Sequence, residues 1–358
     1  IRLMAYSTIP KGSLHMNPVL YTGNGSTQSI TGLEFQPDFT WIKKRSGVAN
    51  HYLVDVIRGA SKVIYSNASN AQETNSNAIT SLNSNGFSLG TDSDTNANSA
   101  TFVSWNWKAG TGQGSPNTDG SINTTYTSVN TTAGISISQY TGNATDNASV
   151  GHGLGTAPKM LIIKEITSTS NWGVWHQDLT DGGYRLSLQE TTGQVSDTAF
   201  MGGGNRAIPT NSVFYLGSGG GGNSSSDNYI AYAFSEIKGF SKFGKYVGNG
   251  STDGTFVYTG FKPAFILQKR YDNNGEGWGM FDTTRSPTNE SKNMLLANSN
   301  ALEDTSNAAR IDFLSNGFKW RTTDTWFNPN GGSCIYMAFA ENPFVATSGT
   351  NAIPVTAR

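Results

Sequence analysis

Disulfide chemistry, apolar runs long enough to cross a bilayer and a surplus of charge of either sign are all missing from this chain. It has one cysteine, Cys334, inside the apolar run CIYMAF. No internal disulfide can form, so stability must come from packing or from partner subunits. With no His, Lys or Arg close in sequence to activate its thiol, Cys334 reads as a small buried hydrophobe. No stretch of about 18 apolar residues occurs, which excludes a membrane-spanning helix. Lys and Arg number 24 against 25 Asp and Glu, without a long run of either sign. That balance argues against a nucleic-acid footprint and against steering to a charged membrane.

Catalytic signatures are equally scarce. The four histidines, His15, His51, His152 and His176, stand in unrelated contexts with no metal-ligand spacing. There is no nucleophile elbow and no phosphate-cradling loop, and the glycines at Gly151 and Gly217 read as turns. Glu34, Glu165, Glu190, Glu236, Glu276 and Glu341 are spread singly, so no carboxylate pair of the glycosidase kind can be nominated. The run DSDTN at Asp92–Asn96 resembles the start of a calcium loop, but Ala97 replaces the required glycine and Val103 the closing glutamate. No cofactor is expected, and only a looser Ca²⁺ site is left open there.

Charged residues make up 14% of the chain while Gly numbers 42, with Asn, Ser and Thr crowding the text between apolar stretches. Surface helices need Glu, Lys and Arg on their wet face, so this text points to strands and turns. Three segments open alike, with YTGNGS from Tyr21, YTGNAT from Tyr140 and YVGNGS from Tyr246. A proline follows each tyrosine after 16, 18 and 17 residues, at Pro37, Pro158 and Pro263, and a lysine stands six residues after each, at Lys43, Lys164 and Lys269. Such a register is internal repetition. Proline lacks an amide donor and suits the start of a strand, the apolar residues after it suit a buried sheet, and the lysine marks the exit to solvent.

A second strand follows in each segment. It carries Asp55 with Arg58 in the first and Asp282 with Arg285 in the third. In the second, His176 or Asp178 falls near the aspartate and no arginine matches. The spacing fits an exposed ion pair pinning a turn better than a charged pair facing a ligand. Asn-Gly before an aromatic strand, as in SNGFSLG and SNGFKWR, signals a hairpin. Each segment closes on a strand of alternating bulky residues: Val103, Trp105, Trp107; Ile230, Tyr232, Phe234; Ile335, Met337, Phe339. Period two with one bulky face lays aromatics into a sandwich core.

The expected fold is all-β, three tandem β-sandwich repeats of jelly-roll or lectin-like type, each of about 100 residues. The expected divisions are an N-terminal arm 1–20, repeats 21–110, 140–239 and 240–345, a Gly/Ser/Thr/Asn-rich linker 111–139 and a C-terminal tail 346–358. Helix is expected only in fragments such as Ser291 to Leu302. Met4 could be the natural start. Glycan sites use an aromatic face and a few polar groups for hydroxyls. The loops DNNGEGWG and TDTWFNPNGG offer Trp278, Trp326, Asn274 and Asn328 as such partners, against the reading that these residues anchor Gly-rich loops.

The pattern YTGNGS, GLEFQPDFTWIKKR, VDVIRGASK, SNGFSLG and WNWKAG resembles a repeat of structural proteins of tailed, notably marine, phages, over Tyr21 to Phe344 and most closely in the first and third segments. The resemblance implies a non-enzymatic virion component exposed on the particle. It would be a tail fibre or receptor-binding protein presenting sandwich modules to a host-surface glycan or, alternatively, a capsid decoration or tail-assembly protein that binds neighbouring virion subunits. A carbohydrate-active enzyme is the lesser alternative. By analogy with fibres the assembly would be a homo-oligomer, a trimer; in the decoration or tail-assembly alternative Ile1 to Pro18, which precedes the first segment, would be the docking arm.

Overall fold

The computed structural model describes residues 7–306 and 309–342. The Met4 start and the tail 346–358 lie outside the described residues. The structure is all-β, with several antiparallel sheets. Among the described residues, helix is confined to one four-residue turn, Ser93–Asn96, and one 3₁₀ turn, Gly12–Leu14. The segment at Ser291 is not a helix. Its backbone pairs with Ile311, and Leu295–Leu296 forms a short strand on Trp278–Asp282.

Three larger sheets have the same spine. In the first, the closing strand Thr101–Trp107 lies between the opening strand Met16–Thr22 and Phe39–Lys44, with Tyr52–Asp55 next outward. In the second, Asn228–Phe234 lies between Ile135–Thr141 and Met160–Glu165, followed by Gly173–His176. In the third, Ser333–Asn342 lies between Ser241–Val247 and Lys262–Arg270, followed by Trp278–Asp282. Register makes the correspondence explicit: Phe39 pairs with both Trp107 and Asp55, Met160 with Phe234 and His176, and Phe265 with Phe339 and Asp282.

The alternation in the closing strands is real, but both faces are buried. Ser104 and Asn106 are as inaccessible as Trp105 and Trp107. One face of the first sheet packs with the small sheet Gln28–Thr31, Gly86–Leu89 and Ile79–Asn83, around Ile30, Val54, Phe87 and Phe102. The other face, with Trp41, Trp105 and Trp107, enters a core shared by residues of all three larger sheets. There the Trp107 and Phe234 rings each stand 6.0–6.2 Å from Phe339, and Phe39 stacks on Tyr232 at 4.4 Å. Edge and stacked aromatic pairs of this kind each add about 0.5–1.5 kcal/mol beyond their burial.

The text 111–139 is not an open linker. Ile122 is buried, Thr124–Asn130 is a strand paired with Ile135–Thr141, and the amides of Thr111 and Gly112 bond the buried Asp38 carboxylate at 2.9 and 3.2 Å. Burial raises the Asp38 carboxyl above the usual range, against the pull of those amides. The arm is integrated too, since Ile9 is buried in the shared core and a Cβ on Gly12 would stand 2.4 Å from the Ala340 carbonyl.

Candidate functional site

The repeated Tyr-x-Gly-Asn opening builds the same latch three times. The hydroxyls of Tyr21, Tyr140 and Tyr246 donate to the carbonyls of Thr95, Gly222 and Phe327. Each is followed by a glycine whose Cβ would stand 2.2–2.3 Å from a backbone oxygen, of Ala97, Ser224 or Pro329, so no side chain fits at Gly23, Gly142 or Gly248. The asparagine then meets a second, buried asparagine. The amides of Asn24, Asn143 and Asn249 donate to the side-chain oxygens of Asn96, Asn223 and Asn328 at 2.9–3.0 Å. The side-chain nitrogens of those buried asparagines each serve three acceptors, for Asn328 the Asn249 side chain and the carbonyls of Ser251 and Thr322. Every polar atom of the Asn328 side chain is therefore committed within the protein, which removes it from the glycan-binding candidates.

Two buried ion pairs stand at boundaries between segments. Asp55 and Arg58 pair at 2.6 Å with side chains 0–1% exposed, and the Tyr232 hydroxyl of the second segment donates to the same carboxylate at 2.7 Å. Asp282 and Arg285 pair at 2.5 Å, fully buried, and the Trp105 indole of the first segment donates to Asp282 at 3.0 Å. Arg285 also stands 5.4 Å from the Trp105 ring and bonds Glu303 at 3.0 Å. The expected turn-pinning pair is therefore present, with the Ile57 and Arg58 amides on Asp55, but it is buried rather than exposed.

The second segment differs in a correlated way. His176 holds the aspartate position, and Leu179 falls where arginine would stand. His176 Nε2 lies 3.3 Å from the Tyr336 carbonyl in the third segment, whose residue equivalent to Tyr232 and Trp105 is Met337. A thioether cannot donate to a carboxylate. Where the partner lost its donor, the carboxylate and its arginine are absent as well. Burial pulls the His176 imidazole down to about 3. These joints run in a cycle: first segment to second, second to third, third to first.

The three lysines do not mark an exit to solvent, because each is fully buried. Their ammonium groups donate to carbonyls: Lys43 to Lys44 and Asn300, Lys164 to Glu165, and Lys269 to Glu276 and Thr191. Lys43 and Lys269 thereby tie the first segment to the third and the third to the second. Burial lowers each lysine to about 8.

Of the other binding candidates, Trp278 is buried with its indole on the Ser187 carbonyl at 3.0 Å, another joint between second and third segments. Trp172 makes the equivalent bond to the Tyr65 carbonyl. Asn274 is exposed and accepts the Gly193 amide at 2.8 Å. Trp326 is half-buried, lying over Gly277. Burial pushes the Cys334 thiol up to about 12, in keeping with an inert hydrophobe. Asp92, at the start of the calcium-like run, caps the turn Ser93–Asn96 through the amides of Asp94 and Thr95. Among the described residues, no three His, Cys, Asp or Glu side chains cluster to hold a metal ion. A polar cleft of about 230 Å³ lies between the N-terminal strand and the third segment, lined by Ser13, Asn17, Lys262, Thr283 and Glu341. Among the described residues no helix is long and apolar enough to cross a membrane.

The fold and these joints define an all-β protein whose sheets interlock through buried polar groups around a shared core. The chain belongs to the family of the domain of unknown function DUF7483, whose model matches residues 11–343 as one unit. No curated protein and no solved structure matches the chain.

Proposed function

We propose that the chain is a non-enzymatic structural protein of a tailed-phage particle, made of three tandem β-sandwich modules closed into a ring. In this reading it is carried on the exposed surface as a tail fibre or receptor-binding component that meets a host-surface glycan. The observation that carries it is the cyclic set of joints. Ionisable groups of the kind enzymes tune for catalysis, including Lys43, Lys269, His176, Asp55 and Asp282, are used here to bind one segment to the next. The buried ion pairs contribute specificity of docking more than net stability. The resemblance to phage structural repeats supplies the particle.

The ring also favours a second reading, that of a capsid decoration or tail-assembly protein. Three equivalent modules in one chain present a pseudo-threefold object, which a symmetric particle can seat among its own subunits. Labelled protein added to host cells, with and without the host's purified surface polysaccharide, separates the two. Saturable binding abolished by the polysaccharide is expected for the receptor-binding protein. Absent binding by folded protein, with retention on purified particles, turns the assignment to decoration.

A further inference from the structure

Among the described residues, the large aromatic side chains are buried or half-buried except Phe256 and Tyr258, which are 43% and 61% exposed. They alternate on Phe256–Tyr258, the edge strand of the small third sheet, and flank the buried Val257 that pairs with Phe318. Alternation puts both rings on one face, about 7 Å apart along the strand. The equivalent strands show what the fold itself requires. In the first segment Ile30 pairs with Phe87 and is flanked by Ser29 and Thr31; in the second, Val150 pairs with Phe214 and is flanked by Ser149 and Gly151. The scaffold is satisfied by small residues here, so the aromatic pair answers some other demand.

Its surroundings suggest which. Lys319 lies directly opposite Phe256 on the next strand, and Asp312 opposite Lys319 on the one beyond. Lys319 pairs with Asp253 at 2.5 Å, and Arg321 with Asp312 at 2.6 Å and Asp253 at 3.5 Å. Two cations thus face two carboxylates, and their mutual bonds hold them in place. The Phe256 ring is braced against Gly317, whose Cβ would meet it at 3.0 Å. Two rings are far less than the roughly 800 Å² per partner of a stable protein interface. The balanced charge gives no attraction for an anionic polymer. An aromatic platform beside preorganised hydrogen-bonding groups matches the apolar face and the hydroxyls of a sugar ring.

We infer that this outer face is a saccharide-binding site, with Phe256 and Tyr258 as the stacking platform, Asp253, Lys319 and Arg321 as hydroxyl partners, and an uncharged glycan as the ligand. The inference rests on the receptor-binding reading above and names its site. The test uses the full chain and the variant Phe256→Ser/Tyr258→Thr, which installs the first segment's residues and keeps the fold, on an array of purified neutral and anionic bacterial surface polysaccharides. The wild type binds one or more neutral polysaccharides, and the variant, with an unchanged melting temperature, binds at least about tenfold more weakly. Binding equal in both proteins overturns the site while leaving the receptor-binding reading intact. Binding confined to anionic polysaccharides overturns the ligand class. A wild type silent on every spot overturns both the site and the reading it rests on.

Discussion

The Tyr232 hydroxyl donates to the Asp55 carboxylate at 2.7 Å across the boundary between the second and first segments, while Arg58 holds the same oxygen at 2.6 Å. Tyr232→Phe leaves Asp55 with its arginine and turn amides, so the expected loss is about 1–2 kcal/mol. Asp55→Ala strands a buried guanidinium, and the loss rises to about 3–5 kcal/mol. Urea unfolding of the two variants, compared at unchanged m value, gives the order directly.

The correlated difference at the second joint makes a stricter test. His176→Asp places a buried carboxylate against the Tyr336 carbonyl, with the Asp178 amide to meet it but neither an arginine at position 179 nor a donor at the position equivalent to Tyr232. It is expected to cost about 3–5 kcal/mol. Adding Leu179→Arg and Met337→Tyr rebuilds the set found at Asp55, Arg58 and Tyr232 and recovers part of the loss. Unfolding free energies that simply add across the three substitutions would deny the coupling.

The asparagine latch predicts a steep dependence on one atom. Asn328→Asp exchanges a nitrogen that serves three acceptors for an oxygen that can serve none. The loss is expected at about 1–3 kcal/mol for each group left unpaired. Gly248→Ala, which puts a methyl 2.2 Å from the Pro329 carbonyl, destabilises the same turn. Thermal melts of both variants check this, with Asn330→Ala on the exposed side as the control.

Stability is expected to peak on the alkaline side of neutrality. Folded Lys43, Lys164 and Lys269 release their protons near 8, whereas the unfolded side chains keep theirs to about 10.5. Between those values the unfolded state binds more protons, so stability rises with pH, by up to about 1.4 kcal/mol per pH unit for each lysine. Above about 10 the slope reverses, because unfolded tyrosines ionise while burial holds Tyr140, Tyr232 and Tyr246 neutral. On the acid side His176, at about 3 when folded, withdraws stability as pH falls below its ordinary 6.5. Urea midpoints from pH 5 to 11 trace the profile, and Lys43→Met/Lys164→Met/Lys269→Met should flatten its rising limb.

The opening tetrapeptide, the lysine register and the alternating closing strands were all legible in the sequence, because each repeats at short range. What the sequence hid was the other half of each interaction. Asn24 and Asn96 are 72 residues apart, and Asp55 and Tyr232 are 177 apart. Nothing local in SDTNAN or YIAYAF marks a partner. The lysines look like an exit to solvent because a strand ending in lysine ordinarily is one, and here Lys43 and Lys269 are met by carbonyls of a neighbouring segment. Trp278 and Asn328 stand in polar, Gly-rich text that resembles a binding loop, although that text folds back over the core. The exposed Phe256 and Tyr258 stood in plain view between turns, and only comparison with Ser29, Thr31, Ser149 and Gly151 in three dimensions shows that the fold does not need them.

Scanning calorimetry of the intact chain tests most directly whether the three segments are one interlocked body. A shared aromatic core and cyclic joints predict a single transition whose calorimetric and van't Hoff enthalpies agree, shifted as a whole to lower temperature by Asp55→Ala. Two or three resolved transitions, with Asp55→Ala moving one of them alone, would contradict the account.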